Sequence, residues 1–127
     1  MECSVRPTVL IVEDDAAIRQ LFGVLLPEAG FRPIFAGSTD EAVVTLARER
    51  PNAIVTDCGR PDGRPDLAAL DRLRRAVPGV PLILCSAHQW IRGVDPVQYG
   101  LFAIVPKPFD IDELIATVGR AVAAVRS

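Results

Sequence analysis

Glu13, Asp14 and Asp15 stand directly after the apolar run Val9-Leu10-Ile11-Val12, and Asp57 stands directly after Ala53-Ile54-Val55-Thr56. Ser86-Ala87 follows Leu82-Ile83-Leu84-Cys85, and Lys107 follows a run from Phe102 to Val105. Three or more carboxylates gathered in one cleft repel one another, and burying them unpaired is costly. A hard divalent cation relieves that repulsion. Mg²⁺ prefers a few carboxylates together with water and phosphate oxygens. A hydroxyl and an ammonium on the opposite side complement phosphate charge. Such a set supports phosphoryl transfer with an aspartate as nucleophile. Lys107 stands out by composition, being the only lysine among 14 basic residues. A compact ammonium suits a point contact to one phosphoryl oxygen, whereas arginine does not replace it. Each group also has a plainer reading. The three acids can cap the next helix and favour its dipole. Asp57 can be a strand-end turn residue, and small hydroxyls such as Ser86 are common at strand ends.

The elements that must position these residues are legible in the apolar pattern. The four runs ending at Val12, Thr56, Cys85 and Val105 read as buried strands, with Phe31 to Ala36 as another. Between them lie stretches of helical period. Ile18, Leu21, Phe22, Leu25 and Ala29 form the first, stopped by Gly30. Ser38-Thr39-Asp40-Glu41 is a capping box opening a helix expected to reach about Arg50 before Pro51-Asn52. Leu67, Leu70, Leu73 and Val77 mark the third, ended by Pro78-Gly79. Gly93 and Pro96 leave room for only a short or broken helix between His88 and Gly100. Asp110 to Glu113 is a second capping box, and Ile111, Leu114, Ile115, Val118, Val122 and Val125 make the apolar face of the last helix. Strands alternating with helices predict an α/β fold, a (βα)5 three-layer sandwich around a five-stranded parallel sheet. In the flavodoxin-like order 2-1-3-4-5, strands one and three are neighbours at the switch point. Their carboxylates then converge beyond the carboxyl ends of the strands.

Composition narrows the function classes. A chain of 127 residues, half of them apolar, is one domain that buries roughly two-thirds of its unfolded surface. Disorder is excluded on that composition, and no apolar run is long enough to span a membrane. The first seven residues contain no apolar signal region. A net charge of −2 argues against generic nucleic-acid binding. Cys3, Cys58 and Cys85 show no metal spacing, and free thiols suit a reducing cytoplasm. The expectation is a single domain over 1–127, with its core at about 8–126 and no output domain.

The four strand-end motifs, in order, make the sequence similar to the receiver domain of bacterial two-component response regulators, over essentially its whole length. They are Val9 to Asp15, Ile54-Val55-Thr56-Asp57 with Pro61 four residues on, Ser86-Ala87, and Lys107-Pro108-Phe109. The resemblance implies that Asp57 accepts a phosphoryl group from a histidine kinase or a histidine phosphotransfer protein. It implies Mg²⁺ (or Mn²⁺) bound by Asp14 directly, by Glu13 mostly through water, by Asp57 and by the backbone carbonyl of Gly59. Ser86 and the backbone N–H of Ala87 would contact the phosphoryl group. Lys107 would pair with Asp57 before transfer and with the phosphoryl group afterwards. It further implies a cytoplasmic signalling protein rather than an enzyme, acting on a downstream protein target, as a monomer or weak dimer, without nucleic acid or membrane.

The sequence departs from that family at several positions. Ile104 stands where an aromatic is usual, three residues before the lysine, and presents neither ring nor hydroxyl. Pro65 replaces a common glycine eight residues after the acceptor, and Gly59 replaces a side chain that often flanks the phosphoryl group. His88 sits at the rim, and Trp90 lies in the loosest segment. These departures favour the alternative of an interaction module not switched by phosphorylation, whereas the intact acids, Ser86 and Lys107 favour the phosphoacceptor. A phosphatase or flavin carrier of the same fold class fits less well. Such phosphatases place the nucleophile after strand one, and flavin binding needs a phosphate loop where acids stand here.

Overall fold

Thr8 to Val12 form strand β1 because β-branched and apolar side chains suit a pleated surface covered on both sides, and all five residues are buried. The structure is a computed structural model that describes residues 6–56, 66–86, 95–106 and 110–126. β1 pairs in parallel with β2 (Arg32–Ala36) on one side and β3 (Ala53–Thr56) on the other. β4 (Leu82–Ser86) and β5 (Ala103–Pro106) complete a parallel sheet in the order β2-β1-β3-β4-β5, the one expected from the sequence.

Alternation along the strands divides the core in two. Val9, Ile11, Val55 and Ile83 face helices α1 (Ala16–Glu28) and α4 (Ile111–Arg126), which contribute Phe22, Leu26, Leu114 and Val118. Leu10, Val12, Ile54 and Leu84 face α2 (Thr39–Leu46) and α3 (Leu67–Ala76), which contribute Ala42, Leu46, Leu70 and Leu73. Helices therefore cover both faces, as a parallel sheet requires.

Several elements differ from the sequence reading. Among the described residues the α-helices number four rather than five. After β4 the described chain carries a 3₁₀-helix, Pro96–Tyr99, and residues 88–94 lie outside the described set. Asp95 caps that short helix at Val97 N–H, and Gly100, at φ +69°, ends it in the left-handed region. α2 stops at Leu46, not near Arg50. Pro51 disfavours helical geometry at Arg50, and Arg50 instead reaches the Pro78 carbonyl while Glu49 pairs with Arg32 of β2. In α1 the buried stripe runs through Ile18, Phe22 and Leu26, leaving Leu21 41 % exposed. β5 begins at Ala103, one residue later than expected, although Phe102 N–H already donates to the Leu82 carbonyl at 2.7 Å.

Both helices, α2 and α4, are capped as expected, the first with a reciprocal bond shifted by one residue. Glu41 N–H donates to Ser38 Oγ at 3.1 Å, and Glu41 Oε1 accepts from the N–H of Gly37, one residue ahead of the cap. Asp110 Oδ1 accepts from Asp112 and Glu113 N–H at 2.9 and 3.2 Å.

Gly100 is the glycine with a double demand. Its φ is positive, and a Cβ built there would collide with the Arg74 guanidinium. Gly100→Ala is expected to lower stability by about 1–2 kcal/mol, mostly from the left-handed backbone. The measurement is the urea midpoint, which should fall with an unchanged m value.

Candidate functional site

The strand register aligns the carboxyl ends of the sheet. Val12 pairs with both Ala36 and Thr56, Thr56 pairs with Leu84, and Ser86 pairs with Pro106. The chain continues from these ends into Glu13, Asp57, Ala87 and Lys107. This edge holds the described part of the predicted site. Glu13 and Asp14 follow β1, and Ser86 is the last residue of β4. Asp57, Gly59, Ala87 and Lys107 lie outside the described residues, as do Pro65, His88 and Trp90, and for Ser86 only the backbone is described.

The three acids after β1 divide their work. Asp15 is the N-cap of α1, its Oδ1 accepting from Ala17 N–H at 2.8 Å and Ile18 N–H at 3.3 Å. The plainer reading, a helix cap, is therefore correct for this residue. Asp15→Ala is expected to cost about 1 kcal/mol through the lost cap while leaving Mg²⁺ affinity unchanged. Thermal unfolding beside a Mg²⁺ titration checks both halves. Glu13 is only 6 % exposed. Its N–H donates to the Ala36 carbonyl at 2.9 Å, and its Oε2 accepts from Asp15 N–H at 3.3 Å. Glu13 also lines a cavity of about 10 Å³ shared with Phe22, Val55, Thr56 and Cys85. A space that size holds about one water molecule. Asp14, between its two tethered neighbours, is exposed to solvent.

Adjacent carboxylates, one buried and one open, at the mouth of a parallel sheet present hard oxygen donors. Among the described residues no group of three or more ligating side chains forms a cage. Mg²⁺ does not need one, since it binds through one or two carboxylates and keeps several waters. Glu13 and Asp14 thus fit a Mg²⁺ ion. The positive end of the α1 dipole lies beside them and favours anionic groups there.

Thr56 and Cys85, buried beside Glu13, also belong to this edge, which the sequence reading misses. The available signal is a polar residue closing an otherwise apolar strand. Ile104, where the family usually has an aromatic, is half-buried and packs with Tyr99 against the core cluster on the α2 and α3 side. Among the described residues, no helix is long and apolar enough to cross a membrane.

Comparison with known proteins bears on this edge. A family model described as the response regulator receiver domain matches residues 9–119. The DNA-binding transcriptional regulator NtrC of Salmonella typhimurium is 35 % identical over 118 residues, which cover 92 % of this chain and 25 % of that protein. The chain thus spans about a quarter of the length of the curated relatives it matches. Among solved structures, a Francisella response regulator receiver domain superposes with a TM-score of 0.80 at 28 % identity, covering 93 % of this chain and 98 % of that one. The receiver domain of a sensor histidine kinase from Pseudomonas aeruginosa PAO1, solved with a magnesium ion in its active-site cleft, superposes at 0.76 with 27 % identity, covering 94 % and 99 %.

Proposed function

The chain belongs to the response regulator receiver domain family, and we propose that it is the phosphoacceptor of a two-component phosphorelay, with Asp57 as the acceptor. The observation that carries this reading is that β1 and β3 end level at the carboxyl edge of the sheet. There the buried Glu13 and exposed Asp14 stand beside the end of the strand that runs on into Asp57. The donor is a phosphohistidine on a kinase or phosphotransfer protein. A carboxylate oxygen of Asp57 attacks the phosphorus in line, the P–N electron pair passes to the ring nitrogen, and the histidine leaves as neutral imidazole with the proton already on its other nitrogen.

Asp14, Asp57 and the Gly59 carbonyl would hold Mg²⁺, with Glu13 assisting mostly through water, and the ion would supply positive charge to offset that of the phosphoryl oxygens. Glu13 also orients this edge by fixing the Asp15 backbone. Lys107 supplies a point charge, first to Asp57 and then to the phosphoryl group. The Ser86 hydroxyl and the Ala87 N–H donate to phosphoryl oxygens. The domain signals by contact with a downstream protein, in the cytoplasm where its donor phosphohistidine resides.

The test is intact mass after incubation with acetyl phosphate, with and without Mg²⁺. One phosphoryl adduct that requires Mg²⁺ is expected. A folded protein that binds Mg²⁺ and gains no adduct would overturn the proposal and leave a docking module independent of phosphate.

A further inference from the structure

The opposite end of the sheet carries a feature that the phosphoacceptor chemistry does not use. An open groove of about 400 Å³ lies between the C-terminus of α3 and the loops that enter β4 and β5. Val77, Pro81, Leu101 and Phe102 supply apolar lining, and Arg74 forms part of the wall. The absence of a Cβ at Gly100 is what lets the Arg74 guanidinium lie there. Phe102 is 38 % exposed at the groove.

The charge around this groove is unbalanced. Arg74 Nη2 and Arg75 Nε both bind one carboxylate, Asp71, each at 2.9 Å. Arg50 Nη2 donates to a neutral partner, the Pro78 carbonyl, at 2.6 Å. Arg74, in the groove wall, shares Asp71 with Arg75, and Arg50 sits against the lining residue Pro78 with no carboxylate partner among the described ion pairs, so positive charge is in surplus at the rim. Part of this has a plain cause, since arginines in the last turn of α3 complement its dipole. That dipole amounts to about half a charge. A lone exposed phenylalanine is also ordinary. The combination is less so, because the apolar groove and the surplus charge occupy one place. Apolar anchors rimmed by arginine are what a protein interface uses to hold a partner.

We propose that this groove, at the amino end of the sheet, docks an acidic segment of a partner protein through an apolar side chain seated against Phe102 and carboxylates facing Arg50 and Arg74. Nucleic acid is the poorer fit, because phosphates alone would leave the apolar floor uncovered. The surface lies at the end of the strands away from Glu13 and Asp14, so docking does not require phosphorylation and stands apart from the function proposed above.

The experiment uses the intact chain and a fluorescein-labelled short peptide of alternating glutamate and leucine around one tryptophan. Anisotropy is read without any phosphoryl donor. Saturable binding is expected, weakening as salt screens the charges. Arg50→Glu should reduce affinity about tenfold, as should Phe102→Ser. Arg50→Glu must keep the circular dichroism spectrum and the cooperative unfolding of the parent, which shows that it is folded. Amide chemical-shift changes are expected at Val77, Gly79, Val80, Leu82, Gly100, Leu101 and Phe102. The proposal is overturned if the peptide does not bind or if Arg50→Glu binds it equally well. It is also overturned if a peptide with serine in place of leucine and tryptophan binds as tightly, which would reduce the groove to a charged patch.

Discussion

Asp57→Asn is expected to carry no phosphoryl group after incubation with acetyl phosphate and Mg²⁺, under conditions in which the parent protein is labelled. The substitution keeps the size and shape of the side chain. It replaces a carboxylate oxygen that can form a mixed anhydride with an amide that cannot. The loss is therefore one of chemistry, and the residual rate should be lower by more than about a thousandfold. Stability should not fall, because the variant removes a negative charge from a chain segment that continues directly from Thr56, beside the Val12–Glu13 strand end. The check is intact mass on both proteins, with thermal unfolding as the folding control. Full labelling of the variant would mean that another side chain is the acceptor.

Asp14→Asn is expected to weaken Mg²⁺ binding by at least about tenfold and to slow labelling in proportion at limiting Mg²⁺. Its effect on stability should stay within about 0.5 kcal/mol, as for surface substitutions that touch no cap or core. Asp14 is exposed, whereas both of its acidic neighbours hold backbone groups. The contrast with Glu13→Gln is informative. Glu13 is buried and accepts from Asp15 N–H, so that variant should move both the metal titration and the unfolding temperature. Mg²⁺ titration by calorimetry separates the two. Chelation with EDTA should reproduce the Asp14→Asn phenotype in the parent protein. An Asp14→Asn protein with unaltered Mg²⁺ affinity would remove this residue from the metal site.

The candidate site is suggested by the sequence because the chain changes character abruptly where each strand ends. Val12 gives way to Glu13 and Thr56 to Asp57 within one residue, and a parallel sheet gathers the residues beyond its strand ends on one edge. The departures were legible for the same reason, since Ile104 is counted along a strand from Lys107. The sharing of work among three adjacent acids could not be read. Their chemistry is nearly identical, and only the folded chain makes Asp15 the cap, Glu13 the buried member and Asp14 the open one.

Helix limits and faces were the weaker reading. Leu21 has the right type and nearly the right spacing for the core, yet Phe22 and Leu26 take that place. A helix with apolar residues on more than one stripe leaves its rotation to the sheet it lies on. α2 ends at Leu46, and beyond its last turn Glu49 and Arg50 reach β2 and α3's exit loop, elements far away in the chain.

The alternation of strands and helices, the two-sided core and the candidate acidic edge thus follow from local pattern, whereas the order β2-β1-β3-β4-β5 is set by pairings between segments remote in sequence. Period, strand-end chemistry and the preference for parallel pairing are properties of neighbouring residues. Division of labour among Glu13, Asp14 and Asp15, and the groove formed by Arg74, Gly100 and Phe102, needed the folded chain. Each depends on the distance between segments remote in sequence, which packing sets and no local propensity encodes.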